Sequence, residues 1–141
     1  MTTRAYRAGC FSTDTPSDII ALSGAGAGAG HYSTLNRALG SGALASYQVT
    51  AGKTFYVTKI IFTPTTSTAD VNLGYGDNAV TDSASAPTNG LTQIPNGVIA
   101  GTTANQKVEY DIHVPLAPSG KYPYYKNDGA TGAMLVFGYE A

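Results

Sequence analysis

The chain after Tyr47 alternates between apolar and polar positions with the period of two that is typical of β-strands. The pattern is clearest in "KVEYDIHVP" (107–115), where alternate positions fall on opposite faces of a strand. One face carries Val108, Tyr110, Ile112 and Val114, and the other carries Lys107, Glu109, Asp111 and His113. The segment "ADVNLGY" (69–75) alternates in the same way. Both segments predict strands with one buried face.

Further strands are predicted in the same part of the chain, separated by turn residues. They are "SYQVT", "TFYVTKIIFTP" ending at Pro64, "LTQIP" and "GVIAG" joined by a hairpin turn at Asn96-Gly97, "KYPYY" before the turn "KNDG", and "TGAMLVFGYE". Seven or eight strands in about 95 residues, without a helical pattern, predict an all-β, antiparallel β-sandwich. The chain has no Trp and one Cys, so we expect a jelly roll rather than an immunoglobulin domain.

Two of these segments are apolar on both faces. In "TFYVTKIIF" the alternation predicts Phe55, Val57 and Ile61 on one face and Tyr56, Ile60 and Phe62 on the other. In "TGAMLVFGYE" it predicts Ala133, Leu135, Phe137 and Tyr139 opposite Met134 and Val136. A sandwich strand needs only one apolar face, so something should cover the second. Loops or the N-terminal region could do so, but the interpretation we favour is burial against another copy of the protein.

The first part of the chain lacks a sustained period. "SDIIAL" (17–22) predicts a short strand and "STLNRALG" (33–40) a brief helical turn. The run "GAGAGAG" (24–30) has no group that must be buried, and glycine leaves the backbone free. We therefore predict an extended N-terminal arm with a Gly-Ala hinge over residues 1–45 and a β-sandwich domain over residues 46–141.

The low charge content narrows the function. Charged residues make up 12% of the chain, against about 25% in a typical domain, and the net charge is −1. Such a chain has no basic field for nucleic acid or an anionic membrane, and little repulsion opposes contact between copies. No stretch is long enough to cross a membrane, no signal peptide is evident, and Cys10 is alone. We expect a protein made in the cytoplasm and not secreted.

Two stretches of the sequence resemble known chemical sites. The Gly-Ala run matches a relaxed dinucleotide fingerprint, but it lacks the βαβ context and the downstream acidic residue. Glu109, Asp111 and His113 resemble the metal strand of cupins, yet Pro123 stands where the second motif needs a histidine, so a solvated strand face is the expectation. No nucleophile elbow is present. We predict no enzyme activity, no catalytic residues, no metal and no cofactor.

A cluster of aromatic residues lies in "KYPYYKNDG" (121–129). Tyr122, Tyr124, Tyr125 and Asn127 fit three interpretations, which are a core or edge-strand set, a protein interface, and a carbohydrate contact. In the third, exposed tyrosines stack on sugar rings while Asn127 bonds the hydroxyls.

Three segments carry a resemblance to a known class of proteins: "YQVTAGKTFYVTKIIF" (47–62), "VPLAPSGKYPYY" (114–125) and "GAMLVFGYE" (132–140). Together they resemble the small jelly-roll decoration (cement) and head-fibre proteins of tailed bacteriophages. The resemblance implies a homotrimer on the capsid surface whose partner is the major capsid protein, with the virion as its location. We expect the arm to bind the capsid through Arg4, Tyr6, Arg7 and Arg37. The alternative is a carbohydrate-binding or receptor-binding module of a phage particle.

Overall fold

The computed structural model of the protein describes residues 19–24, 27–65, 69–101, 103–128 and 132–141. The described residues form ten strands and no helix. In chain order the strands are β1 (Ile20–Gly24), β2 (Tyr32–Thr34), β3 (Asn36–Ala38), β4 (Leu44–Ser46), β5 (Phe55–Pro64), β6 (Ala69–Gly76), β7 (Leu91–Gly101), β8 (Val108–Ala117), β9 (Tyr122–Asp128) and β10 (Gly132–Glu140).

The strands form two sheets that pack face to face. One sheet has six strands in the order β4-β3-β1-β10-β5-β8, and the other has four in the order β2-β9-β6-β7. Every ladder between neighbours is antiparallel. The predicted all-β, antiparallel β-sandwich is therefore confirmed.

Eight of the strands pair in a nested order. Leaving out β3 and β4, the first strand pairs with the last (β1 with β10), the second with the seventh (β2 with β9), the third with the sixth (β5 with β8) and the fourth with the fifth (β6 with β7). Strands β3 and β4 form a hairpin that extends the six-stranded sheet beyond β1. The chain thus crosses repeatedly between the sheets.

The core lies between the sheets and is apolar. Its largest fully buried side chains include Tyr125, Phe55, Phe62, Leu22 and Leu73. Each such side chain contributes roughly 1.5–3 kcal/mol when it leaves water. The alternation predicted for residues 69–75 and 107–115 is confirmed, since Ala69, Val71 and Leu73 are buried while Glu109, Asp111 and His113 are exposed. These two segments follow the strand period closely because neither inner face is interrupted by a charge.

The two apolar faces predicted for β5 need a correction. A β-bulge at Thr58 shifts the pairing of β5 with both neighbours, so the alternation changes phase along the strand. Ile60 and Phe62 are buried on the same side as Phe55 and Val57, and Ile61 points outward. Strand β10 keeps its phase over Met134–Val136 and does have two apolar faces, as predicted.

Several predicted turns and strands are also wrong. The segments 91–94 and 99–101 do not form a hairpin at Asn96-Gly97, since both pair with β6 within the one strand β7. Lys126, Asn127 and Asp128 continue β9 rather than forming a turn. Residues 33–40 contain parts of two short strands instead of a helical turn. Tyr47 and Val49 are buried, but this segment follows β4 without a ladder of its own.

The described part of the predicted arm lies inside the sandwich. Strand β1 sits between β3 and β10, Leu22 is fully buried, and β2 belongs to the opposite sheet. The boundary at residue 45 is therefore wrong for residues 19–24 and 27–45, because their strands belong to the two sheets and Ile20, Leu22, Ala27 and Leu35 are part of the core. Residues 1–18, which include Arg4, Tyr6, Arg7 and Cys10, lie outside the described residues.

Candidate interaction surface

The six-stranded sheet turns one face to the core and the other away from it. We call the second surface the outer face and define it by two rows of residues that the strand register aligns. The first row is Leu44, Ala38, Ala21, Phe137, Lys59 and Asp111. The second is Ser46, Asn36, Ser23, Leu135, Ile61 and Glu109. Ala133, Thr63, Tyr56, Tyr139 and His113 extend it at its ends.

Much of the outer face is apolar and open. Leu44 is 61% exposed and Leu135 is 42% exposed, while Phe137 and Ile61 are half-buried. A shallow depression of about 310 Å³ is lined in part by Ile61, Ala133 and Leu135. Soluble monomers rarely expose contiguous apolar patches of more than a few hundred Å². This surface therefore has the character of a contact surface.

Charge is confined to one side of the outer face. Among the described residues, its β1, β3, β4 and β10 positions carry no charged side chain, and the charges lie on β5 and β8. The Lys59 ammonium is 3.3 Å from the Glu109 carboxylate and 3.4 Å from that of Asp111. Hydrogen bonds to Glu109 and Asp111 raise the pKa of Lys59, and those from Lys107 and Lys59 lower the pKa of Glu109. These exposed pairs contribute little to stability but give the surface a polar border.

An aromatic cluster occupies the end of the outer face. The rings of Tyr56 and Tyr139 stack with centroids 5.4 Å apart and planes 14° apart. Nε2 of His113 lies 2.8 Å from the hydroxyl of Tyr139. Cross-strand alignment of β5 with β10 brings the two tyrosines together, because Tyr139 is the direct partner of Tyr56. The histidine of the predicted carboxylate–histidine row thus bonds a tyrosine, and the described residues hold no group of three or more metal-ligating side chains.

The aromatic residues singled out in the sequence lie elsewhere. Tyr124 and Tyr125 are 2% and 1% exposed, and Tyr122 is half-buried. Tyr125 faces the core, whereas Tyr124 lies on the other side of the four-stranded sheet, where its ring meets that of Tyr32 edge-on at 5.4 Å. Burial raises the pKa of both hydroxyls. The carbohydrate interpretation requires exposed tyrosines, and Tyr124 and Tyr125 do not meet that requirement.

Asn127 is fully buried and belongs to the packing of the Gly-Ala segment. Its side-chain Nδ2 donates to the carbonyl of Ala27 at 3.0 Å, and its backbone carbonyl accepts from the N–H of Gly30 at 2.6 Å. The carboxylate of Asp82 accepts from the N–H of Gly28 at 2.8 Å and lies 2.7 Å from Nδ1 of His31. The described part of the predicted hinge, residues 27–30, is therefore bonded to two other segments.

Gly24 shows a second reason for small residues in this run. A Cβ at this position would lie 2.5 Å from the ring of Tyr125, so the strand β1 can pack on that ring only with glycine here. Gly24 is thus a packing residue of β1 rather than part of a free joint.

Of the predicted capsid-binding residues, only Arg37 is described. It is exposed on β3, where it pairs with Leu22 and Ala45, and the alternation of β3 points it away from the outer face. Sequence reasoning found the β10 part of the outer face but missed its continuation over β1, β3 and β4. Leu44 and the small residues around it were the available signal, and strands of three residues are too short to reveal a period.

Comparison of the chain with protein-family models, with curated proteins and with solved structures finds no match. Across the part of the chain that the structure describes, no helix has the length and apolar character needed to span a membrane.

Proposed function

We propose that the protein is a non-enzymatic structural protein of a virus particle that binds the capsid surface as a homo-oligomer and stabilises it. The observation that carries this proposal is the outer face, an open and largely uncharged apolar surface on four neighbouring strands. A surface of this kind is stable in water when another protein covers it.

We also infer that the sandwich is a jelly roll. Nested pairing of eight strands, first with last and fourth with fifth, is what results when one long antiparallel hairpin is rolled into two sheets. This topology supports the resemblance to phage decoration proteins noted for residues 47–62, 114–125 and 132–140. It carries no function by itself, because the same fold serves many roles.

The proposed contact with the capsid is an adhesive one. Leu135, Phe137 and Ile61 lose water to an apolar patch on the capsid, while Lys59, Glu109 and Asp111 stay hydrated at the border. Each contact is weak, but linked copies bind together with avidity. An oligomer bound across several capsid subunits would then hold those subunits in place.

The test is cosedimentation with capsids in a density gradient. The chain is expressed with the major capsid protein of the same genome, and the wild type is expected to travel with the particles. Leu135→Lys should lower the bound fraction at least tenfold, because it places a charge in the contact. The matched control is Leu91→Lys, which changes an exposed leucine on the other sheet and should bind like the wild type. Wild-type protein that stays at the top of the gradient would refute the proposal.

Residues Arg4, Tyr6 and Arg7 are tested separately as part of the same contact. A variant that lacks residues 1–18 leaves β1 in place, so its binding reports on these residues and not on folding. A bound fraction equal to that of the wild type would mean that they take no part.

The alternative function, carbohydrate binding, retains one observation in its favour. Tyr56, Tyr139 and His113 form an accessible aromatic cluster with polar atoms beside it, which is the chemistry that sugar rings recognise. Tyr56→Ala should abolish retention on a glycan array if this function is correct. An array without any retained glycan would remove the alternative.

A further inference from the structure

The sheets of this sandwich have four edge strands, and the described chain protects three of them. Strand β8 carries Glu109, Asp111 and Pro115, and β7 carries Pro95 together with a pairing irregularity. The edge of β2 is covered, since Tyr32 exchanges backbone hydrogen bonds of 2.8 and 2.9 Å with Ser83. Charges, prolines, bulges and covering segments are the usual means of preventing edge-to-edge association.

Within the described residues, strand β4 has none of these protections except its short length. Its residues, Leu44, Ala45 and Ser46, are small or apolar and uncharged, and Leu44 and Ser46 are exposed. The edge also continues directly into the uncharged part of the outer face. From this contrast we infer that two copies of the chain pair through β4, antiparallel and about a twofold axis.

The backbone of β4 offers hydrogen-bonding groups on its free side. On either side of β4, Tyr47 donates its N–H to the Leu35 carbonyl and Ala43 accepts from the N–H of Leu39, so by alternation Ala45 bonds towards β3. By the alternation of antiparallel ladders, the N–H and C=O groups of Leu44 and Ser46 point away from β3.

One register uses all of these groups. When Ala45 of one copy lies opposite Ala45 of the other, Leu44 faces Ser46 twice, and each of these two pairs exchanges two hydrogen bonds. A register centred on Leu44 or on Ser46 would use fewer of the groups. The same twofold pairing at β8 would set Glu109 and Asp111 against the carboxylates of the partner copy, which is destabilising.

This pairing has a consequence for the outer face. A twofold axis perpendicular to the sheet joins the two six-stranded sheets edge to edge and keeps both outer faces on the same side. The pair then presents one continuous uncharged surface, with the Leu44 side chains at its centre. The inference deepens the proposed function by naming its copy-to-copy contact, and it rests on that proposal for the use of the joined surface.

The first experiment measures mass by sedimentation equilibrium over a range of chain concentrations. Because the contact is small, we expect single chains at chain concentrations of roughly 1 μM and paired chains at roughly 1 mM. The mass should then approach twice the 14.5 kDa of the chain. A mass that stays at one chain throughout, or a trimer such as the resemblance implies, would overturn the inference.

Three lysine variants locate the contact. Leu44→Lys should weaken pairing at least tenfold, since it places two cations near the twofold axis. Leu91→Lys is the matched control on the other sheet and should pair like the wild type. Leu135→Lys should also pair normally, because it changes the outer face and not the edge. Loss of pairing with Leu135→Lys would show that outer faces pair instead, which contradicts the inference.

A cysteine variant tests the register directly. The narrow pair at Ala45 brings the two Cα atoms to about 4.5 Å, within the range that a disulfide spans. In a Cys10→Ser background, Ala45→Cys should form a covalent dimer under mild oxidation, whereas Ala84→Cys, in an exposed loop, should not. Equal dimer yields from the two variants would refute this register. The mass of the isolated chain and the cosedimentation with capsids are separate measurements, so failure of either proposal is recognised without the other.

Discussion

The two sheets of the sandwich differ in how the surface that points away from the core is covered. On the four-stranded sheet, the loop after β6 folds back over the strands. Its Val80 exchanges hydrogen bonds of 2.9 Å with the backbone and hydroxyl of Thr34, and Tyr124, beside Tyr32 and Thr92 on this sheet, is buried. On the six-stranded sheet, Leu135 and Leu44 remain exposed. The chain itself covers the first face around Tyr124, although Leu91 and Val98 on β7 stay exposed, whereas the second face is open around Leu135 and Leu44.

The closed face depends on close packing at one glycine. Gly74 lies opposite Tyr124, and a Cβ at this position would be 2.7 Å from the tyrosine ring and 2.1 Å from the carbonyl oxygen of Leu91. Beside it, the Lys126 ammonium lies 5.4 Å from the centre of the Tyr32 ring. The chain therefore buries Tyr124 on one sheet and leaves Leu135 exposed on the other.

The largest effect is expected from removing β1, which carries Leu22 in the core and Ala21 on the outer face of the six-stranded sheet. Removing residues 1–30 should abolish cooperative unfolding, because it takes a strand from the middle of the six-stranded sheet, leaves one edge of β10 without its partner and separates the β3–β4 hairpin from the sheet. Thermal melting followed by circular dichroism measures this.

The control for that deletion removes residues 1–18 alone, which leaves every described residue in place. It should melt cooperatively within a few degrees of the wild type. Cooperative melting of the longer deletion at the wild-type temperature would mean that β1 is dispensable, and the assignment of residues 19–24 to the sandwich would be wrong.

Substitutions at two neighbouring residues of β10 compare the core with the outer face of the six-stranded sheet. Met134→Ala should lower the free energy of unfolding by about 2–5 kcal/mol, because the side chain is buried and its removal leaves a cavity. Leu135→Ala should change the free energy of unfolding of the monomer by less than about 0.5 kcal/mol. Denaturant titration at low concentration measures both values. Equal losses would show that Leu135 is buried within the monomer.

The closed face should respond to a single added methyl group. Gly74→Ala should cost about 1–3 kcal/mol of unfolding free energy, since the Cβ overlaps a backbone oxygen that cannot move freely. Gly40→Ala is the matched control, because nothing lies within 4 Å of a Cβ there. If the two variants are equally stable, Tyr124 is not held against β6 as described.

The sequence predicts the inner faces of this sandwich better than the outer ones. Alternation over Ala69–Leu73 and Val108–Val114 was sufficient, because long strands with one apolar face have a clear period. The phase change at Thr58 could not be predicted, since a bulge is set by the pairing of three strands and not by local residues.

The reach of the open face into β3 and β4 could not be predicted for a related reason. Each of these strands has only three residues and therefore shows no period. Strand β3 joins the sheet by pairing with β1, and β4 joins it by pairing with β3. Likewise, Tyr124 and Tyr125 are adjacent in a polar stretch of sequence. Nothing in that stretch reveals that Tyr125 is buried in the core and Tyr124 on the opposite side of the sheet. The β10 part of the open face was predictable because Leu135 and Phe137 alternate with Met134 and Val136.

The smallest expected effect concerns Asp82, which attaches the covering loop to the Gly-Ala segment. The N–H of Gly28 and the ring of His31 hold the pKa of this carboxyl below its ordinary value of 3.8. The ionised form therefore stabilises the fold at neutral pH. This contribution declines as the pH falls through 3.8 and is lost below the folded pKa.

Asp82→Asn removes this contribution with little backbone strain, because asparagine tolerates the positive φ of 44° at this position. The difference in melting temperature between the wild type and Asp82→Asn should be largest near neutral pH, should narrow as the pH falls through 3.8, and should be smallest below the folded pKa of Asp82, where both proteins carry a neutral side chain. Asp77, Glu109 and Glu140 also have lowered pKa values, so the comparison uses this difference and not the wild-type curve alone. The control Thr81→Asn keeps the carboxylate and should follow the wild type at every pH. A difference that does not change with pH would mean that Asp82 holds the covering loop by its shape and not by its charge.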